Sequence, residues 1–239
     1  MTLAATELCL RAAAVTLLLV LAVSMFADFR NVLAGRLVIA FALGTAAHAV
    51  TASIGAGEPI SIWHAPLIAI STGDIVVFWL FTRALFDDAF VLRWWHGLIW
   101  AAVVAFSFVN CMWIAPSGHA QAAITTVNLL TVVFIVLAVT QTIGSWSADL
   151  VERRRRVRVF IVVASALYGG MNALLQIAYA GSRVTVEWAN LLNAGVLAAI
   201  VAGITWAMMR VDGADLFAAP VEPVVANAPP AAIEEIADQ

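Results

Sequence analysis

An aspartate, Asp74, stands near the middle of the otherwise apolar run Trp63–Thr82, about eleven residues or ~16 Å from its start at ~1.5 Å per residue. An ionised carboxylate held in hydrocarbon costs about 2.5–3.5 kcal/mol or more. A carboxyl at that depth is therefore protonated, paired or turned toward water. Three chemistries fit: a neutral acid bonded to a neighbouring helix, a contact to a ligand or ion, or a step in a proton relay. Other polar side chains recur at helical spacing. Tyr168, Asn172, Gln176 and Tyr179 share one helix face, and Glu187, Asn190 and Asn193 share another. His48, Asn110 and Asn128 lie toward the same side of the chain's apolar runs, whereas the opposite side is poorer, with Gln141 the main exception. Such a one-sided cluster either lines a cavity open to that side or ties helices together, a role worth about 0.6 kcal/mol per bond. The candidate ligand-binding set is Asp74, His48, Asn128, Asn172, Gln176, Tyr179, Asn190 and Asn193.

Other chemistry is poorly represented. His48, His64 and His119, with Glu58 and Glu187, match no metal-ligand spacing, so no metal and no cofactor is expected. Cys9 and Cys111 would pair only if the first and fourth apolar runs touched, and free thiols packed as small hydrophobes are expected. All twelve basic residues are arginine, so no lysine is present to form a Schiff base with retinal. A phosphate-cradling glycine loop, an HExxH pair and a GxSxG elbow are missing too, and no catalytic residue is identified. An enzyme is not expected.

The elements that must position these residues are set by composition. Of the 239 residues, 64% are hydrophobic and 11% charged, against the quarter or so that a soluble surface needs. The apolar residues gather in seven runs: Leu8–Ala27, Leu37–Ile54, Trp63–Thr82, Trp94–Ala115, Ala120–Trp146, Val159–Gly181 and Trp188–Met209. Each is long enough for a helix to cross about 30 Å of hydrocarbon. No strand-like alternation occurs. The fold class is thus all-α, a polytopic membrane protein with a seven-transmembrane-helix bundle over residues 1–210. Residues 211–239, with Pro220, Pro223, Pro229, Pro230 and many alanines, read as a linker or tail without a core.

Orientation follows from the arginines. Taking the connections alternately, Arg30, Arg36, Arg83, Arg93, Arg153, Arg154, Arg155, Arg156, Arg158 and Arg210 fall on one side, and only Arg11 and Arg183 on the other. The positive-inside rule places the N-terminus outside and the C-terminus in the cytoplasm of a bacterial inner membrane. Arg11 and the run ending near Ala22-Val23-Ser24 also fit a cleaved signal peptide, but cleavage would put Arg153–Arg156 outside, so the run is expected to remain. That arginine cluster is expected to anchor topology and contact anionic lipid rather than nucleic acid. Gly169-Gly170 allows a bend or close packing.

Two segments resemble a known family. Phe78-Trp79-Leu80-Phe81-Thr82-Arg83-Ala84-Leu85-Phe86-Asp87-Asp88-Ala89-Phe90 is similar to a stretch of bacterial AraC-type transcriptional regulators that carry a multi-pass membrane N-terminal half. Asp149-Leu150-Val151-Glu152-Arg153-Arg154-Arg155-Arg156-Val157-Arg158 resembles the basic loop before their sixth span, and the likeness covers about Trp63 to Arg210. It implies a sensory domain whose tail leads to a DNA-binding helix-turn-helix. No such module follows the linker here, so direct nucleic-acid binding by this chain is not expected. The expected signalling residues are Arg83, Asp87, Asp88 and Arg153–Arg156, with Arg83 pairing to Asp87 on a helix that runs on past the membrane.

The leading expectation is an integral-membrane sensor that binds a small molecule or lipid and signals to a cytoplasmic output. Its partners would be membrane lipids, that ligand, a cytoplasmic regulator or fused DNA-binding domain, and a second copy in a homodimer. The alternatives are a small transporter or channel using Asp74 for proton or cation coupling, and a structural membrane subunit.

Overall fold

A computed structural model describes residues 2–53, 63–87, 89–144, 152–178 and 187–210. Among the described residues the regular structure is helical throughout: α1 Leu3–Phe29, α2 Leu33–Thr51, α3 His64–Phe86, α4 Trp94–Val109, α5 Ala120–Gly144, α6 Glu152–Ala178 and α7 Glu187–Arg210. Seven helical segments are long and apolar enough to cross a membrane, the fourth counting α4 together with its continuation to His119. Tyr179, Asp88 and the tail from residue 211 lie outside the described residues.

The helix ends follow from local chemistry. Thr2 caps α1, its hydroxyl accepting from the Ala5 amide at 3.4 Å. At the other end Arg36 reaches back from α2 and donates through Nε to the Arg30 carbonyl at 2.7 Å, satisfying an orphan acceptor of the tight α1–α2 turn. Beyond Val109 the chain winds in a wider π register over Asn110–His119 and turns at Gly118, where φ is 88°. Pro116 removes one amide there, and only glycine reaches that φ without strain.

Six helices make a ring in the order α1, α2, α3, α5, α6, α7, which closes lightly between α6 and α7. α4 stands outside the ring against α3, and its π segment reaches α5. The α1–α2–α7 side packs through small residues, Ala14, Ala42, Ala46 and Ala49 among them, with Leu18, Leu197 and Val201. Close backbone approach of this kind is how helices associate in lipid, which offers no hydrophobic drive between them. The α3 side is bulkier, with Val76, Phe78, Phe81 and Leu85 almost fully buried. Large apolar residues such as Val23, Leu98, Leu129, Leu167 and Trp206 face outward, as a lipid-facing periphery requires.

Two expectations need correction. The Arg153–Arg156 cluster is not in a loop, because α6 begins at Glu152 and carries these residues in its first turns; their side chains lie outside the described residues. An apolar run marks where hydrocarbon ends, not where the helix does. Second, α3 does not carry Asp87. It stops at Phe86, and Asp87 is extended, its Oδ1 accepting from the Ala89 amide at 3.1 Å. Arg83 and Asp87 make no ion pair; the guanidinium lies instead over the Phe90 ring at 4.7 Å and the Trp79 ring at 5.6 Å. Gly169 packs close to the Ile135 side chain of α5, within an unbroken α6.

Candidate functional site

The ring encloses a cavity of about 470 Å³ to which all seven helices contribute. Its two ends differ in chemistry. Toward the N-terminal ends of α3, α5 and α7, the lining carries His48, Ser71, Thr72, Asn110, Asn128 and Asn172, with Gln176 at the rim. Toward the opposite ends it is apolar, with Phe41, Phe78, Phe81, Ile161, Ile204 and Met208. Asp74 sits on α3 where the two halves meet, one turn before Phe78.

Asp74 is buried at 8% exposure. Thr45 of α2 donates to its Oδ2 at 2.9 Å, while Oδ1 is buried without a hydrogen-bond partner. The carboxyl fits because Gly44 has no side chain: a Cβ there would collide with it. On its other flank α3 approaches α4 closely at Gly73, against Val104 and Trp100. α3 is thus gripped by both neighbours at the level of its one carboxyl.

Above Asp74 a polar belt runs around the cavity. Ser71 Oγ and His48 Nδ1 are 3.3 Å apart, and the His48 ring meets Tyr168 edge-on. Tyr168 donates to Asn193 Oδ1 at 2.8 Å, and Asn193 donates to Asn172 Oδ1 at 3.2 Å, which joins α6 to α7. Ser107 donates to Thr72 at 2.8 Å between α4 and α3. Asn128 donates to the Ile124 carbonyl at 2.9 Å and toward Gln176 Oε1 at 3.4 Å. Asn110 donates to the Ala123 carbonyl at 3.0 Å, leaving its Oδ1 buried and unpartnered.

The expected site residues are therefore partly brought together. Asp74, His48, Asn128, Asn172 and Gln176 line the cavity, and Asn193 stands behind it, bonded to Tyr168 and Asn172. Asn190 does not join them: it is exposed on α7. A spacing of three residues rotates a side chain by about 60° short of a full turn, so Asn190 and Asn193 diverge. Tyr179 lies outside the described residues.

Several contributors carry no motif. Thr45 and Gly44 are ordinary residues of an apolar run until Asp74 is placed opposite them. Arg11, expected at a flank, is buried in α1 at 4% exposure, its Nε donating to Glu7 at 2.9 Å and its Nη1 without a hydrogen-bond partner. Its charge lies within electrostatic reach of His48 and Tyr168. The Glu7–Arg11 spacing of four was the available signal. His96 belongs to no motif either. It is buried at the start of α4, accepts the Arg93 amide at 2.9 Å and packs between Phe90, Trp79 and Trp95. Cys9 is exposed and Cys111 buried, both as free thiols.

The chain matches no protein-family model, no curated protein and no solved structure.

Proposed function

We propose that this chain is a ligand-sensing domain of a bacterial inner membrane, resembling the membrane half of AraC-type regulators, with its N-terminus outside and its C-terminus in the cytoplasm. The observation that carries this reading is the central two-ended cavity, polar toward one membrane face and apolar toward the other. The arginine bias assigns the polar end to the outside, where a ligand arrives. A ligand there bears on α3 at Asp74, and the last turn of the same helix carries Arg83 into the aromatic knot of Trp79, Phe90 and His96. A small shift of α3 would move that knot and, through the helices packed on it, the segment after Arg210. The output is a cytoplasmic regulator or a fused DNA-binding domain. Membrane lipids and a second copy complete the expected partners.

A second reading keeps one specific observation: a buried carboxyl with a single hydrogen bond is also what a proton- or cation-coupled carrier uses. Reconstitution separates the two. Sensing predicts no ion-dependent flux across liposomes holding the full chain; flux abolished by Asp74→Asn establishes the carrier and removes the sensor. A reporter fused after Gln239 that proves periplasmic overturns the orientation.

A further inference from the structure

The lining of the cavity is uneven in a way that selects a ligand. Two of its lining residues carry a buried oxygen without a hydrogen-bond partner: Asn110 through Oδ1, an acceptor, and Asp74 through Oδ1, which lies in the Gly44 notch and accepts when the carboxyl is ionised. Among the described residues no arginine appears in the lining, and the chain has no lysine. Arg11, buried in α1, stands outside the lining and is tied to Glu7. Below Asp74 the walls are aromatic and aliphatic, with Phe41 tilted against Phe78 and stacked on Phe81 at centroid distances of 5.4 and 6.2 Å. An unpaired buried acceptor loses about 1–3 kcal/mol of hydration, which a ligand donor restores. A carboxylate in low dielectric without a counter-charge is costlier still, and a ligand cation supplies that charge.

Resting on the reading of this cavity as a ligand site, we propose that it binds a cationic amphiphile, a protonated amine on an apolar chain. The ammonium lies against Asp74, with Asn110 as an acceptor nearer the mouth, and the chain descends between Phe41, Phe78 and Phe81. The carboxyl is positioned for this by construction. Gly44 and Thr45 fix it at the boundary between the polar and apolar halves, where the head of an amphiphile must stop. A neutral alcohol would satisfy the acceptors without supplying charge, and a carboxylate would face Asp74 with like charge.

The test uses three probes with one tail, decylamine, decanol and decanoate, and the full chain in phosphatidylcholine nanodiscs. Saturable binding is measured above that of empty discs. The expected result is that decylamine binds at least tenfold more tightly than either other probe. Asp74→Asn should bring it down to the level of decanol, and Phe78→Ala should weaken decylamine and decanol alike. Tightest binding by decanoate, or decylamine binding indifferent to Asp74→Asn, overturns the cationic assignment and leaves the cavity as a ligand site. Saturable binding by none of the three overturns the amphiphile site itself. The rank order on the unaltered chain decides the matter even where a variant fails to fold.

Discussion

The carboxyl of Asp74 occupies the notch that Gly44 leaves by having no side chain, and the next residue, Thr45, donates the one hydrogen bond it receives. Neither helix alone explains the arrangement. α3 can carry a carboxyl into the membrane because α2 is hollow at the same level and has a hydroxyl one residue on.

That fit predicts a strong response to one methyl group. Gly44→Ala places a Cβ on the carboxyl and forces α2 from α3, an overpacking that costs about 1–3 kcal/mol. In an Asp74→Ala background the methyl has room, and the same change should cost less. The difference, read as a coupling energy from thermal unfolding in micelles, should exceed about 0.5 kcal/mol. Additive costs would show that the two residues are not in contact.

Glu7 and Arg11 should respond unequally. Arg11 is buried and Glu7 only partly so, which makes the guanidinium the group in need of its partner. Glu7→Gln leaves a buried cation uncompensated and should destabilise the protein by about 1 kcal/mol or more, less than for a fully buried pair because Glu7 reaches solvent or headgroups. Arg11→Met replaces charge and shape together and should be close to neutral or stabilising. Unfolding midpoints of the two variants decide it, and a larger loss from Arg11→Met would contradict the ranking.

How much of this was legible in the sequence depends on which physical rule each feature obeys. Crossing hydrocarbon takes a long apolar stretch, so all seven helices were visible as runs. Their ends were not: α6 begins at Glu152, because a helix extends beyond the membrane wherever its backbone can bond to itself. Asp74 was conspicuous as a carboxyl in an apolar run, and Tyr168, Asn172 and Gln176 as a face with helical period. Gly44 and Thr45 matter through Asp74, 30 and 29 positions away, and Arg11 reaches His48 and Tyr168, 37 and 157 positions away, relations that no local pattern encodes. Asn190 and Asn193 part because a spacing of three falls about 60° short of a full turn. Asp87 departs from its expected pairing for a different reason. The four-residue spacing to Arg83 is a pair only where the helix persists, and it ends one residue too soon.

Tyr168 tests the thinnest seam of the ring. α6 and α7 pack lightly, and the bond from Tyr168 to Asn193, continued to Asn172, bridges them. Tyr168→Phe keeps the ring and removes the donor, at an expected cost of about 0.6 kcal/mol and no more than about 1.7. The effect should be local: faster amide exchange in α6 and α7 around these residues, with α2 and α3 unchanged. Uniform acceleration across all helices would mean that the seam is not held by this bond.

Arg83 tests the junction between α3 and α4. Its guanidinium is sandwiched by geometry, not by charge, lying over Phe90 and Trp79 while Asp87 bonds to its own turn. Asp87→Asn retains an acceptor oxygen for the Ala89 amide and should change stability by less than about 0.5 kcal/mol. Arg83→Ala removes two cation–π contacts worth about 0.5–1 kcal/mol each and frees Phe90 from His96. Arg83→Lys keeps the charge but loses the flat face that stacks on both rings, so it should fall between the two. Hydrogen exchange at Phe90, whose amide donates to the Asp87 carbonyl at 3.0 Å, reads the junction directly. An Asp87→Asn variant as damaging as Arg83→Ala would restore the ion pair and remove the aromatic knot as the mooring of this connection.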